Sequence, residues 1–598
     1  MVANGMTPVS AVLTQHNDNN RSGDNLNETA LNINDVNTSQ FGLLCTRPVD
    51  DQIYAQPLVM TNVSIPGKGT HNIVIVATVN DTVYAYDADD PTVVAPYWTR
   101  SFINPPNIVP PNNADESAIG ACGGNYMDFT GNFGIVGTPV IDPNSQTLYL
   151  VVRTKEQGTN FVQRLHALDI TTGLDRSNSP IVITATCSGT GAGSSGGVIA
   201  FDPLMENQRA GLTLAAGIVY VTWASHCDND PYHGWVIGYN ATNLQQMVVW
   251  NDTPNGSEGG IWMSGQAPAA DTNGNIYLIT GNGTVDATDY GESFLKLAPT
   301  NGTMNVASYF IPYNWLGLNA GDIDLGSAGL LLMPGTTLAL GGGKECLLYL
   351  VYRDNMGGLS LGAGGPNGGP DTNIVQSWDL IGDQIRGSPV WWTGPNGSYI
   401  YVWPDSSGPL RQYQFTNGLF NTTAYAMSTT IGGVGSPGGI LSISANGTNA
   451  GSGIVWATVN TTSSAGPKTV AGTLHAYNAE NVSDELWNSD TVPRDSLGNL
   501  AKFVPPTVAN GKVYLATFSD RLNVYGLLPP PPLSIVLAGG NATLFWPTNA
   551  PGAYSLETST NLLSGNWTVV TNAVVTSNGL FHVTVPVSGH ATFYRLKS

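Results

Sequence analysis

Charge is what this sequence has least of. Only 11% of its 598 residues are charged, against about 25% in an average globular protein. Lys and Arg together number 21 against 42 Asp and Glu, a formal net charge of −21. No basic patch stands out and the acidity is spread along the chain, so a polyanion is repelled and no nucleic-acid partner is expected. Cysteine is scarce too. Cys45, Cys122, Cys187, Cys227 and Cys346 include no adjacent pair and no C-x-x-C, which removes a C-x-x-C-H haem site. An odd count leaves at least one thiol free or paired with another chain. Cys122 and Cys187 both fall in loop-like sequence and are the pair considered for one disulfide. No run is long and apolar enough to cross a membrane, and no charged-then-apolar signal opens the chain. Met1 to Met6 read as a truncated or vector-derived start. No nucleophile elbow, H-E-x-x-H motif, phosphate-binding loop or dinucleotide fingerprint is evident. SSGG (194–197) and GSAG (326–329) read as ordinary Gly-rich turns.

What the chain has is turns. Gly contributes 71 residues and Pro 38, while hydrophobic residues still make up 41%. Gly, Asn, Ser and Thr between short apolar runs point to an all-β protein. Asn-x-Ser/Thr triplets occur at Asn27, Asn62, Asn240, Asn421 and Asn566, acceptors for glycans in a eukaryotic secretory protein.

One unit recurs at intervals of roughly 45–55 residues, the mark of a repeat architecture. An apolar run follows Gly, Ser or Gln plus Pro. A second run is aromatic and β-branched, a third has the form L-x-A-Y/L-D/N, and a fourth often carries Trp. The clearest copy reads AQPLV (55–59), NIVIVATVND (72–81), TVYAYDA (82–88) and YWTRSF (97–102). Later copies include TLYLVV (147–152) with LHALDITTG (165–173), IVYVTWA (218–224) with WVIGYNA (235–241), and GIVWATV (453–459) with TLHAYNA (473–479). The runs are 4–8 residues long with partial alternation, the strand signal. Four strands per unit and about eight units fit the blades of a β-propeller.

The expected fold is therefore all-β: an eight-bladed β-propeller with a small C-terminal β-sandwich. Its last unit, ending LNVYGL (522–527), lacks a fourth strand. FGLLCTRPV (41–49) is a fourth strand with no blade of its own, and pairing the two closes the ring and removes two open edges. The domains expected are an N-terminal arm (1–40), the propeller (41–528), a stiff Pro linker (529–532), and a fibronectin- or immunoglobulin-like module (533–598).

Several stretches carry a family resemblance. QHNDNNRSG (15–23), DDQIYAQPL (50–58), HCDNDPYHGW (226–235), NGSEGGIWMSG (255–265), YLITGNGT (277–284), GGKE (342–345) and YRDNMGG (352–358) resemble the pyrroloquinoline-quinone-like propeller superfamily. They are similar, more narrowly, to exported acidobacterial and verrucomicrobial proteins labelled quinoprotein-like. The likeness covers about residues 10–527. It implies the fold and a secreted, periplasmic or cell-surface location. Quinoprotein alcohol dehydrogenases use a Trp floor, a Ca²⁺ held by Glu, Asn and Asp, a catalytic Asp and an adjacent Cys–Cys disulfide. No Cys–Cys pair exists here, so pyrroloquinoline quinone is not expected and no cofactor is assigned. Ca²⁺ or Zn²⁺ is the ion left open.

In a propeller, the loops leading into each first strand share a face with those joining second to third strands. Residues far apart in sequence converge there. The candidate ligand-binding residues are Gln56, Arg209, Trp262, Gln266, Lys344 and Arg386, with Tyr54, Asp322 and Asp324 in loops of the same kind. Trp262 suits stacking on a sugar or an aromatic ring. HCDNDPYHGW concentrates imidazole, thiol and carboxylate, so His226, Asp228 and His233 are the candidate metal ligands. The plainer reading is a loop stitched by hydrogen bonds and Asx turns. GNGTVDATDYGE (281–292), with Asp286, Asp289 and Glu292, reads as a Ca²⁺ loop or a plain acidic turn. His16, Asp18 and Arg21 are expected to tie the N-terminal arm onto the propeller.

The function expected from these features is a non-catalytic extracellular binding propeller for a glycan, a protein partner or another copy of itself. An enzyme with a channel-mouth site is the alternative, either a quinone-dependent oxidoreductase or a polysaccharide lyase or hydrolase. A structural surface-layer or filament subunit is the third reading.

Overall fold

The computed structural model describes every residue except 1–9, 301, 364–368, 383, 549–553, 563–565, 588–590 and 598. The start at Met1 to Met6 lies outside the described residues. Among those described, no helix is long and apolar enough to cross a membrane.

Eight mainly antiparallel sheets of four or five strands follow one another along the chain up to Leu527. In the first, Leu58–Ile65, Gly69–Ala77, Thr82–Asp87 and Trp98–Ser101 pair in sequence order. The pattern suits the sequence, because β-branched and aromatic residues dominate the two middle strands and both faces of each sheet are covered by neighbours. Burial follows: Ile73 to Val76 are all within 2% of full burial.

The third repeat motif has a specific job. In three sheets a Tyr on the second strand donates its hydroxyl to the carbonyl of the Ala that ends the motif in the following sheet. Tyr149 reaches Ala241 O at 2.7 Å, Tyr401 reaches Ala479 O at 2.6 Å, and Tyr514 reaches Ala88 O at 2.7 Å. The last of these joins the eighth sheet to the first. That joint is built with the same bond as the internal ones.

The eighth sheet takes its outer strand from the other end of the chain. Phe41–Pro48 pairs antiparallel with Arg521–Leu527, from Phe41 opposite Leu527 to Pro48 opposite Arg521, with a bulge between Leu43 and Cys45. Phe41 is fully buried and meets Trp487 edge-on at 5.0 Å.

The segment before it runs inside the ring of sheets rather than along its surface. Val12 exchanges two 2.9 Å bonds with Val59 on the inner strand of the first sheet. Leu13 O accepts from Ile141 N in the second, and Asn19 Nδ2 donates to Leu214 O in the third. Asn19 O, Asn20 O, Ser22 O and Gly23 O then accept from Ala270, Leu332, Trp391 and Ile443 in sheets four to seven. Asn25 Nδ2 closes the circuit on Val508 O in the eighth, at 2.7 Å. Residues 12–25 therefore touch the inner strand of every sheet, in order. Gly23 is required there: its φ is +73°, and a Cβ would lie 2.3 Å from Val390 Cγ1. Arg21 is the hub, fully buried, with bonds to Thr14, Gln15, Asp18, Thr213 and Pro268.

After the Pro run, seven strands form two further sheets. Four strands within 534–586 pair as one sheet, and Ser555–Ser559 pairs with Thr568–Val569 and Phe593–Lys597 as the other. Leu544, Trp546, Leu556 and Val583 are buried between them.

Candidate functional site

A cavity of about 370 Å³ opens where the loops converge. Its walls come from all the expected kinds of loop. Asp128 and Phe129 precede the first strand of sheet two, Arg209 that of sheet three and Trp262 that of sheet four. Asp322 and Asp324 precede sheet five, Arg386 precedes sheet six, and Lys502 with Phe503 precede sheet eight. Loops between second and third strands add Asp228, Lys344, Ser464 and Gly466.

Four cationic and four anionic side chains line the cavity, and they are not evenly paired. Lys344 Nζ lies 2.6 Å from Asp322 Oδ1 and 2.7 Å from Asp324 Oδ2. Burial opposes its charge, and the two carboxylates outweigh burial and hold the amine above its ordinary value. Arg386 is paired with Asp405. Arg209 and Lys502 have no carboxylate within ion-pair distance among the described residues. The Arg209 guanidinium instead lies among three rings, 5.1 Å from Tyr54, 5.7 Å from Phe129 and 5.1 Å from Phe503. Lys502 is 4% exposed and donates to Gly466 O. Burial pulls its amine down to about 7, with Asp128 opposing and Arg209 adding to the fall. Asp128 and Asp228 are open to solvent in the cavity, yet set deep enough that desolvation raises both carboxyls. Trp262 is half-buried and meets Phe503 edge-on at 6.2 Å.

Of the candidate ligand-binding residues, Arg209, Trp262, Lys344 and Arg386 line the cavity, while Gln56 and Gln266 do not. Both Gln side chains are buried and used elsewhere. Gln56 accepts from His16 N at 2.9 Å and donates to Thr507 Oγ1 at 3.1 Å. Gln266 donates to Leu330 O at 2.9 Å.

The expected metal site at His226, Asp228 and His233 is not formed. His226 is buried between Tyr126 OH and Arg153 Nη2, both at 2.7 Å. Since a guanidinium can only donate, Nε2 accepts, and the ring is neutral with its proton on Nδ1. Burial and Arg153 keep its pKa well below the usual value. Both nitrogens of His233 are also engaged, with Thr253 Oγ1 at 2.8 Å and Ala192 O at 2.9 Å. Asp228 alone faces the cavity, accepting from Ser225 and Tyr232 at 2.9 Å. Cys227 is bonded to Cys122, not Cys187 to Cys122 as considered from the sequence. Cys45, Cys187 and Cys346 form no disulfide among the described residues.

Asp128, Phe129, Lys502 and Phe503 were not singled out from the sequence. The signal existed: MDFTGNFG (127–134) and AKFVPP (501–506) each lead into a first strand.

No protein-family model and no curated protein sequence matches the chain. Solved structures do. A europium-containing methanol dehydrogenase matches with a TM-score of 0.50 and 11% identity, over 87% of this chain and 98% of that one. A quinohemoprotein alcohol dehydrogenase from Pseudomonas putida HK5 matches at 0.49 and 13% identity, over 88% and 83%. Another from Comamonas testosteroni matches at 0.47 and 13%, over 90% and 84%. These findings correct two expectations. The methanol dehydrogenase that shares this fold is an oxidoreductase, so the reading as a non-catalytic binding propeller does not stand. That enzyme contains a metal ion, so the expectation that a chain of this fold carries no cofactor does not stand either. At such identity the likeness speaks for architecture alone: the eight sheets share the fold of the methanol dehydrogenase.

Proposed function

We propose that this chain is an oxidoreductase whose cavity takes a flat, anionic quinone. The observation that carries the reading is the wall itself: Arg209, Lys344, Arg386 and Lys502 face one cavity with Trp262 and Phe503. Cations suit the carboxylates of such a cofactor, and aromatic faces suit its rings. A bound quinone supplies a two-electron acceptor. The metal half of the usual pair does not fit. Lys344 Nζ sits between the carboxylates of Asp322 and Asp324, where a divalent ion would need them. Among the described residues the one group of three metal-ligating side chains is Cys122, Asp128 and Cys227, and two of those are joined in a disulfide. No step is therefore assigned to a metal ion. The chain's own contribution is to bind and orient anionic groups, with Asp128 and Asp228 as nearby carboxyls that desolvation raises.

We read the eight sheets as eight blades of one ring and the final pair of sheets as a fibronectin-like sandwich. The Cys122–Cys227 disulfide supports an oxidising compartment outside the cytosol.

The test is a spectrophotometric titration with pyrroloquinoline quinone, with and without Ca²⁺, beside a dye-linked alcohol oxidation assay. Saturation near one equivalent in both titrations, weakened by Trp262→Ala and accompanied by dye reduction, is the expected result. A flat titration with no dye reduction would overturn the reading.

A further inference from the structure

Two of the four cations in the cavity are already neutralised. Lys344 is held by Asp322 and Asp324, and Arg386 by Asp405. Arg209 and Lys502 are different. Arg209 is 7% exposed and caged by Tyr54, Phe129 and Phe503, and its five N–H donors meet no acceptor among the described residues. They are open to the cavity, where a ligand can supply the acceptors that the protein does not. The rings leave the guanidinium edge as its reactive side, and a carboxylate accepts two parallel bonds from that edge. Lys502 lies beside it, close enough for the two charges to repel, with one bond to Gly466 O. This end of the cavity belongs to sheets two, three and eight. The Lys344 and Arg386 pairs belong to sheets five and six.

We propose that the Arg209–Lys502 end of the cavity binds a 2-oxo carboxylate, with the carboxylate on the Arg209 guanidinium and the carbonyl carbon joined to Lys502 Nζ as an imine. The geometry separates two tasks that one cation cannot share. Arg209 stays charged and fixes the carboxylate. Lys502, desolvated and beside another cation, is the lysine of this cavity able to act as a neutral amine. Its fall to about 7 leaves much of it unprotonated at neutral pH. In the reaction the Nζ lone pair forms a C–N bond to the carbonyl carbon, and the C=O π pair moves to oxygen. The carbinolamine then loses that oxygen as water, with both amine hydrogens accounted for in the water released, leaving C=N. Asp128, a carboxyl raised by desolvation on the same cavity wall, lends a proton to the departing hydroxyl and takes one back from the iminium nitrogen, so the balance is unchanged. No electrons are transferred, so the step requires no oxidant and no quinone. It stands whether or not the oxidoreductase reading does.

The test uses the full chain with glyoxylate and sodium cyanoborohydride, which reduces an imine to a stable secondary amine. Modified lysines are then mapped by peptide mass. The expected result is saturable labelling of Lys502 at least tenfold faster than of any other lysine, with a rate that rises with pH to a plateau and a midpoint near 7. An ordinary lysine titrates near 10.4. Oxalate, which offers the carboxylates but no ketone, should protect Lys502 in the unmodified protein. Arg209→Met should slow labelling at least tenfold, and acetone, lacking the carboxylate, should label as slowly. Labelling spread evenly over the lysines, absence of oxalate protection, or equal rates for glyoxylate and acetone would each overturn the proposal. Oxalate protection is measured on the native chain, so the result holds even where Arg209→Met fails to fold. A flat quinone titration with Lys502 labelled, or quinone binding with Lys502 untouched, tells the two readings apart.

Discussion

Replacing Arg21 by Ala asks whether the segment inside the ring holds the sheets together. The guanidinium makes six hydrogen bonds of 2.7–3.0 Å, to Thr14 Oγ1, Gln15 O, Asp18 O, Thr213 Oγ1 and twice to Pro268 O. The losses are unequal. Pro268 O keeps the Thr213 hydroxyl and Asp18 O keeps the Arg21 amide, whereas Gln15 O has no other donor among the described residues. A buried acceptor left without a donor costs about 1–3 kcal/mol. Desolvation works the other way: burial drags the Arg21 pKa down to about 9, so part of the bonding is already offset. The net loss expected is about 3–5 kcal/mol, typical of breaking a buried charged network. Arg21→Lys keeps a charge with fewer donors and should lose less. Residue 21 sits at φ 61°, so Arg21→Gly should be no worse than Ala, because Gly accepts the left-handed region freely. Urea unfolding followed by Trp fluorescence measures the shift, and hydrogen exchange at Ala270, Leu332, Trp391 and Ile443 locates it. An Arg21→Ala protein with the parent's midpoint and unchanged protection at those amides would refute the reasoning.

Three other outcomes are expected. Replacing Cys122 and Cys227 together by Ser opens a loop of sequence separation 105, and the chain-entropy account puts that at about 4.7 kcal/mol; a non-reducing peptide map showing free thiols at both positions would remove the premise. Burial raises Asp24, Glu116 and Glu258 to about 7, so the folded state holds protons that the unfolded chain has released. Their stabilisation is complete below the ordinary carboxylate range and is lost as pH rises through 7; the melting temperature should fall between pH 6 and 7.5, with Glu116→Gln flattening the slope, and a rise over that interval would contradict the shifts. Deletion through residue 50 removes the strand paired with Arg521–Leu527 and the segment inside the ring, and the expected product aggregates; a monomer melting at the parent temperature would show that neither matters.

The strands were legible because their signal is local. Period-two alternation in TVYAYD or IVYVTW survives in any context, and both runs are strands. The wall of the cavity was legible in part, since loop position alone places Arg209, Trp262, Lys344 and Arg386 on it. Gln56 and Gln266 obey the same positional rule yet spend their amides on Thr507 and Leu330, a choice made by neighbours remote in sequence. The metal reading failed for a different reason. HCDNDPYHGW is dense in sequence, but successive side chains of a tight loop point apart: His226 inward to Arg153, Cys227 to Cys122, Asp228 to the cavity. The path of residues 12–25 was illegible altogether. Only the tie at His16, Asp18 and Arg21 was anticipated, because a segment that reaches six sheets through its backbone and two through Asn19 and Asn25 side chains leaves no periodic trace.

That path bears on how a chain of similar repeats avoids mistaking one for another. Repeat proteins fail by swapping or skipping units that look alike. Here each unit has its own address on a short spindle: Val12 for the first, Asn19 for the third and fourth, Gly23 for the seventh, Asn25 for the eighth. The spindle leaves the ribosome before any sheet it will hold, so every unit can be checked against its slot as it appears. A sheet out of turn would find the wrong residue opposite it, and a ring one unit short would leave Asn25 and Val508 with nothing to close upon.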